Sequence, residues 1–371
     1  MKKSIWDHFA IIRDPRVERT KKHKLQDILV LAVCAVLCGA EHWTHSEAFG
    51  KIHEAWFRTF LDLPHGIPSH DTFGRVFAAL DPEAFEAALR AFVGELAGGS
   101  RGKHIALDGK TLRHSFDRAS AKAAVHRVSA WVHEDHVAFG QRAVEAKSKE
   151  ITAIPELLQL LDLTEATVTM DAMGCQKEIA RQIVEGKGHY VLNLKANQQS
   201  LYEDVQMYLD DGITQGFTGE HDFYETVEKG HGRLEIRRVW TSGEVQWLQE
   251  RHDWPALGSL TVIERERHLP DRCERKRHYF LSSHPGHSAQ RLGTLIRQHW
   301  SVEAQLHWSL DVCFHEDSRR VRMANAAENF SRVRRIALML LKQEKTAKTG
   351  LAGKRLRAGW DRDYLLKVLG I

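Results

Sequence analysis

The sequence predicts an α/β protein: an RNase H-like core with a β-rich insertion, preceded by an all-helical N-terminal domain. Three observations carry this. Helical patterns dominate the first hundred of 371 residues. A linker, Gly98-Gly99-Ser100-Arg101-Gly102, ends that region, and the hydrophobic periodicity changes after it. Beyond the linker come three strand-like runs, then helix, strand, helix, strand and helix, which is the element order of an RNase H-like fold.

In chain order, helical patterns run over 25–38, 46–60, 69–80 and 82–96, broken at Gly39, at Pro64 to Pro68 and at Asp81-Pro82. Ser69 or Asp71 suits a helix cap, and Asp81 before Pro82 suits a helix start. The longest apolar run, Ile28 to Ala40, is 13 residues, short of the roughly 20 that cross a bilayer. Asp27 precedes it and Glu41-His42-Trp43 follows with no cleavage pattern, so it reads as a buried core helix. The core then reads as strands over 103–108, 125–133 and 136–144, helix 149–161, strand 166–171, helix 175–187, strand 189–195 and a helix from about 198. Residues 211–287 are strand-rich and read as an insertion, with Gly230-His231-Gly232 breaking an alternating run. The domain expectation is therefore 1–97 helical with a possible DNA-binding role, 103–210 first part of the core, 211–287 insertion, 288–345 second part of the core, and 346–371 basic tail.

The net charge of +4 is unevenly spread. Residues 318–371 carry 14 Lys and Arg against 4 Asp and Glu, and residues 1–26 carry 8 against 3. Basic ends around an acidic middle suit a protein that grips a phosphate backbone, although solvated basic tails would look the same. Five cysteines without a CxxC pair argue against a disulfide framework and for a reduced, cytoplasmic protein.

Three acids stand out. Asp108 ends the run Ile105-Ala106-Leu107, Asp171 ends Val168-Thr169-Met170, and Glu303 interrupts an apparent apolar helix stripe of Ile296, Trp300, Leu310 and Phe314. Carboxylates in apolar surroundings need cationic partners or a metal ion. Helical spacing over 291–314 gathers His299, Trp300, Glu303 and His307 on one side. For Glu303 alone, pairing with Arg297 or a histidine is as good an account as metal ligation. Late in the chain, Arg332, Arg334 and Arg335 read as the basic outer face of a helix whose other side is core.

Four ordered motifs then carry a resemblance: IALDGKTLR over 105–113, TMDAMGCQKEIA over 169–180, KGHGRLEIR over 229–237 and HWSVEAQLHWSLDVCFHED over 299–317. With PSHDTFGRVF over 68–77 in the helical front, they resemble insertion-sequence transposases of the DDE class, in the branch that includes the H-repeat-associated proteins. The resemblance implies a catalytic and metal-binding triad of Asp108, Asp171 and Glu303. It further implies two Mg²⁺ or Mn²⁺ ions, double-stranded DNA (element ends and target) as partner, and a homo-oligomer on that DNA. Strand cleavage by water would be followed by strand transfer from the freed 3′-hydroxyl. Lys110, Arg113, Lys195, Arg297, His299 and Trp300 are the expected helper or DNA-contacting residues. The Y-x2-R-x3-E-x6-K pattern of related transposases is not kept, since its cationic and aromatic positions read Ile296, His299 and Leu310. A DNA-binding relic or regulator, and a nuclease without strand transfer, are the alternatives.

Overall fold

The structure, a computed structural model, describes residues 5–111, 126–144, 150–230, 233–285, 288–318 and 323–370. The front of the chain forms helices α1 (Ile5–Phe9), α2 (Leu25–Leu37), α3 (Trp43–Ile52), α4 (Glu54–Phe57), α5 (His70–Ala79) and α6 (Pro82–Ala97). The apolar run expected to be core is α2, whose residues Ile28 to Leu37 are all at most 1% exposed. Its one acid, Asp27, accepts a hydrogen bond from the Leu63 amide at 3.1 Å, which meets the cost of burying it. Ser69 caps α5 through the Thr72 amide, and Asp81 caps α6 through the Glu83 amide with Pro82 following.

These helices do not stand apart from the rest of the chain. They close over the long α13 (Ala326–Gln343), whose Phe330 ring meets Trp43, itself stacked on Phe73 and Phe77. Here the expectation of a basic outer face fails. Arg332, Arg334 and Arg335 are 1%, 4% and 1% exposed. For Arg332 and Arg335 the reason is Glu86 of α6, which is buried with them and accepts from Arg332 at 2.8 Å and from Arg335 at 2.7 Å, while Arg334 lies over the Phe330 ring. Burial pushes the Glu86 pKa up, but the two guanidinium groups outweigh it and hold the carboxyl below its ordinary value.

Among the described residues the centre is a nine-stranded sheet ordered β3-β2-β1-β4-β5-β9-β8-β7-β6. Strands β1 (His104–Thr111), β2 (His126–Val132) and β3 (Val137–Val144) form an antiparallel meander. After α7 (Glu150–Leu158), β4 (Thr167–Met170) lies parallel to β1, and after α8 (Lys177–Glu185), β5 (His189–Leu194) lies parallel to β4. The helix expected from about 198 is α9 (Gln199–Gln215). The strand-rich segment supplies β6 (His221–Gly230), β7 (Arg233–Ser242), α10 (Gln246–His252), β8 (Ser259–His268) and β9 (Cys273–Ser282). It continues the same sheet, because β9 pairs antiparallel with β5, Leu192 opposite Leu281.

The chain then returns as α11 (Ala289–Val302), a π-helical turn over Glu303–His307, and α12 (Trp308–Phe314). Gly293 lets α11 lie close on the sheet, since a Cβ there would sit 2.9 Å from a methyl of Val239. The basic C-terminal stretch is folded as α14 (Leu351–Trp360) and α15 (Arg362–Leu369). Part of its charge is spent inside the protein. Lys354 donates to the carbonyls of Leu341 and Glu344, and Arg355 to those of Val36 and Cys313. Among the described residues no helix is long and apolar enough to cross a membrane.

Candidate active site

Asp108 and Asp171 are brought together by strand pairing. Leu107 of β1 pairs with Met170 of β4 in parallel register, and the residue that follows each along the chain is an acid. Adjacent strands run roughly 4.8 Å apart, and both acids fall toward the carboxyl ends of parallel strands, where α/β sheets expose functional groups. At Asp171 the chain leaves the sheet, and its Oδ1 accepts from the Met173 amide at 3.1 Å. Glu303 reaches the same place from the π-turn. All three line one cleft of about 160 Å³, together with Asn193, Lys195, His299 and Trp300.

The acids are not enclosed in apolar surroundings as the sequence suggested. Asp171 and Glu303 are exposed and the Asp108 side chain is 26% exposed. Asp171 follows the end of β4, Glu303 lies where the helix changes pitch, and Asp108 lies within β1, which runs on to Thr111 beyond the expected end at residue 108; all three open to the cleft. The single-face reading of residues 291–314 is corrected for the same reason. A π-turn spends one more residue per hydrogen-bonded ring than an α-turn, which shifts the phase of α12 relative to α11. Glu303 faces out and His307 is buried. Trp300 leaves the expected inward stripe as well: it is 49% exposed, while Ile296, Leu310 and Phe314 are core.

Asp108 is the most constrained acid. Its Oδ1 accepts from the Gly109 amide at 2.9 Å, and its Oδ2 lies 3.1 Å from His307 Nε2. Burial pushes the Asp108 pKa up, yet the His307 hydrogen bond, the neighbouring imidazoles and the Gly109 amide bring it below the ordinary carboxylate value. It is therefore an anion at neutral pH. Burial pushes the His299 pKa down, against the pull of Asp108 and Asp171. That disfavours His299 as the missing cation.

The other expected helpers divide. Lys195 is exposed on the cleft wall. Lys110, expected to contact phosphate, is turned inward: its Nζ donates to Asp311 at 2.5 Å, to Glu316 at 3.3 Å and to the His307 carbonyl at 3.5 Å. Arg297 is paired with Glu228 of β6, with no acid of the cleft as its partner. It lines a second, adjoining cavity of about 290 Å³ on the β7–β9 face, with Arg237, Arg265 and Arg267. Trp300 and Phe280 form the wall between the two. Arg113 lies outside the described residues.

Sequence reasoning missed His307 as the partner of Asp108, and also a buried chain behind the cleft. In that chain His104 Nδ1 lies 3.2 Å from Gln298 Oε1, His104 Nε2 lies 2.9 Å from Thr169 Oγ1, and Thr169 Oγ1 lies 2.9 Å from His299 Nδ1. The only sequence signal was that His104 and Thr169 are polar residues inside strands β1 and β4, both at most 3% exposed.

The donors suit a hard divalent cation: three carboxylates, plus Asn193 Oδ1, which is buried and has no hydrogen-bond partner. The three acids do not form one compact ligand set. Among the described residues the only group of three His, Cys, Asp or Glu whose ligand atoms all lie within 4.8 Å of one another is Glu266, His268 and Cys273, at the β8–β9 hairpin.

Residues 99–340, which hold the two acids of neighbouring strands and the third on the returning helix, match the Transposase DDE domain family. Residues 6–93 match the DDE_Tnp_1-associated family. The chain belongs to the DDE transposases, in the branch that includes the H-repeat-associated proteins. It is 38% identical over 375 residues to the "H repeat-associated putative transposase YhhI" of Escherichia coli strain K12, covering 99% of this chain and 98% of that one. It is 47% identical over 278 residues to an uncharacterized protein in the dhlA 3′ region of Xanthobacter autotrophicus, covering 74% and 93%. A solved piggyBac transposase synaptic complex with hairpin DNA overlays with a TM-score of 0.45 at 11% identity, covering 98% of this chain and 75% of that one.

Proposed function

We propose that this transposase cleaves DNA at insertion-sequence ends and transfers the freed strand to target DNA, using divalent metal ions held by Asp108, Asp171 and Glu303. The observation that carries the reading is the shared cleft: two acids one residue beyond a parallel β1–β4 pair, with Glu303 opposite on the π-turn. The strand order β3-β2-β1-β4-β5 supports an RNase H-like description of this half of the sheet. Asp108, Asp171 and Glu303 would hold such ions, with Asn193 Oδ1 as a further oxygen donor. When bound, such ions would activate the attacking oxygen and stabilise the leaving one.

The chain's own groups do the rest. The Gly109 amide and His307 fix the Asp108 carboxylate in orientation and keep it ionised. Lys195 on the cleft wall and the arginine-lined cavity beyond Trp300 offer positive charge to double-stranded DNA on either side of the acids. Joining two ends requires at least two active sites, so the working form would be an oligomer on DNA.

The test incubates the purified full chain with DNA carrying the flanking element ends, in Mg²⁺ or in EDTA. Mg²⁺-dependent cleavage and joining are expected, with both lost in Asp108→Ala while the variant still retards the DNA. Equal cleavage and joining by wild type and Asp108→Ala would refute the catalytic reading. Cleavage without joining would make the protein a nuclease, and binding without cleavage by the wild type would make it a DNA-binding relic or regulator.

A further inference from the structure

We propose that His299 is an additional, nitrogen ligand of the metal site, held in the required tautomer by a buried relay of Gln298, His104 and Thr169. The inference rests on the acids forming a metal site. It adds a donor outside the three carboxylates.

The relay settles which nitrogen of His299 carries its hydrogen. His104 is 3% exposed and neutral, its pKa lowered to about 3 by burial and by the neighbouring His299 and His133. A neutral imidazole has one N–H and one lone pair. Gln298 Oε1 can only accept, so the His104 hydrogen is on Nδ1, donated at 3.2 Å. His104 Nε2 is then an acceptor, and the hydroxyl of Thr169 donates to it at 2.9 Å. That uses the one hydrogen Thr169 has. The remaining contact, 2.9 Å between Thr169 Oγ1 and His299 Nδ1, therefore has His299 as donor. With its hydrogen on Nδ1, neutral His299 is left with a lone pair on Nε2.

The ring of His299 forms part of the cleft wall with Asp108, Asp171 and Glu303. The charges of Asp108 and Asp171 act on this ring, and a nitrogen lone pair beside carboxylates favours a cation over a phosphate. This also accounts for the failure of His299 as a cationic helper: the relay makes it an acceptor on the side where related transposases place an arginine. Imidazole nitrogen is a softer donor than carboxylate oxygen, so the site should favour Mn²⁺ over Mg²⁺ more than an all-oxygen site does. Thr169 is a positioning residue, two positions before Asp171 on β4.

The test has two readouts independent of turnover. In metal-free protein labelled with ¹⁵N-histidine, with the His299 signals identified by their loss in His299→Gln, His299 is expected as the Nδ1–H tautomer. With Mn²⁺ added to the full chain, electron spin echo modulation should report a directly bound ¹⁴N that disappears in His299→Gln. Thr169→Val should weaken Mn²⁺ binding by about tenfold, the lower end for loss of an outer-shell partner, and Thr169→Ser should restore it. An Nε2–H tautomer overturns the proposal whatever the metal does. So does a ¹⁴N coupling that is absent in wild type or survives in His299→Gln. Mn²⁺ binding that vanishes in Asp108→Ala but shows no His299 nitrogen overturns this inference alone. Binding indifferent to Asp108→Ala overturns the metal-site reading beneath it.

Discussion

Lys110 and Lys195 looked equivalent in sequence, each a cation beside an acidic strand end, and the structure separates them in a way that replacing each by Met should reveal. The Lys110 side chain is 10% exposed and its Nζ ties β1 to the segment after the π-turn, through Asp311 at 2.5 Å and Glu316 at 3.3 Å. Removing it does not strand Glu316 entirely, because Arg127 remains at 3.1 Å and the Ser331 hydroxyl at 2.5 Å. Asp311, 32% exposed, can rehydrate. The loss is therefore that of charge-assisted hydrogen bonds, about 1.5–3 kcal/mol, rather than that of an orphaned buried charge. Lys110→Met should lower the urea midpoint by the equivalent of that energy and leave the salt dependence of DNA binding unchanged. Lys195, exposed on the cleft wall, should behave oppositely. Lys195→Met should change stability by less than about 0.5 kcal/mol and reduce the slope of log K against log[KCl] by about 0.9, one phosphate's worth. Fluorescence anisotropy on a labelled end duplex across KCl concentrations reads the slope. A Lys110→Met protein with an unchanged midpoint and a shallower slope would refute the assignment of Lys110 as a clamp.

Two further outcomes are expected. Glu86→Ala leaves Arg332 and Arg335 buried without the carboxylate that both contact. It should cost about 3–5 kcal/mol in chemical denaturation, and a cost below about 1 kcal/mol would contradict the buried-pair account. Glu344 carries the acid sensitivity of the C-terminal helices: burial pushes its pKa up, but hydrogen bonds from Thr346, Tyr364 and the Ala347 amide prevail and lower it to about 2. A depressed carboxyl stabilises the fold above its unfolded pKa near 4.5, and that contribution is lost as pH falls toward about 2. Hydrogen exchange in α14 and α15 should therefore accelerate, relative to the rest of the protein, between pH 5 and 3, and Glu344→Gln should abolish that differential. A differential that persists in Glu344→Gln would assign the sensitivity elsewhere.

What was legible in the sequence was local. The acids of β1 and β4 could be found because each ends a short apolar run, which is recognisable without knowing its neighbours, although β1 itself runs on to Thr111. Ser69 and Asp81 could be found because a cap is satisfied by an amide two or three residues away. The errors share a different cause: each depended on a partner far along the chain. Arg332 and Arg335 read as surface because nothing nearby announces Glu86, almost 250 residues earlier. Lys110 read as free because Asp311 and Glu316 follow it by about 200 residues. His307 was grouped with Glu303 on helical spacing, and its actual partner, Asp108, is 199 residues away.

The π-turn is the least legible element and the one on which Glu303 depends. Before it, α11 is anchored by Leu292 and Ile296 against Val191 and Phe280, a small cluster on the β5 and β9 side of the sheet. After it, Leu306, Leu310 and Phe314 belong to the main core with Phe330 and Leu338 of α13. A regular α-helix carries one apolar stripe at 3.6 residues per turn and cannot aim the same stripe at two differently placed cores. The extra residue of the π-turn shifts the phase where the helix passes from one core to the other. Glu303 sits at that junction, held by packing on both sides while belonging to neither. The same shift turns His307 inward to Asp108. The Y-x2-R-x3-E-x6-K spacing assumes one uninterrupted face, and here Leu310, its lysine position, is 1% exposed in the second core. Among the described residues the cation that lines the cleft is Lys195, which comes from another element, just after β5.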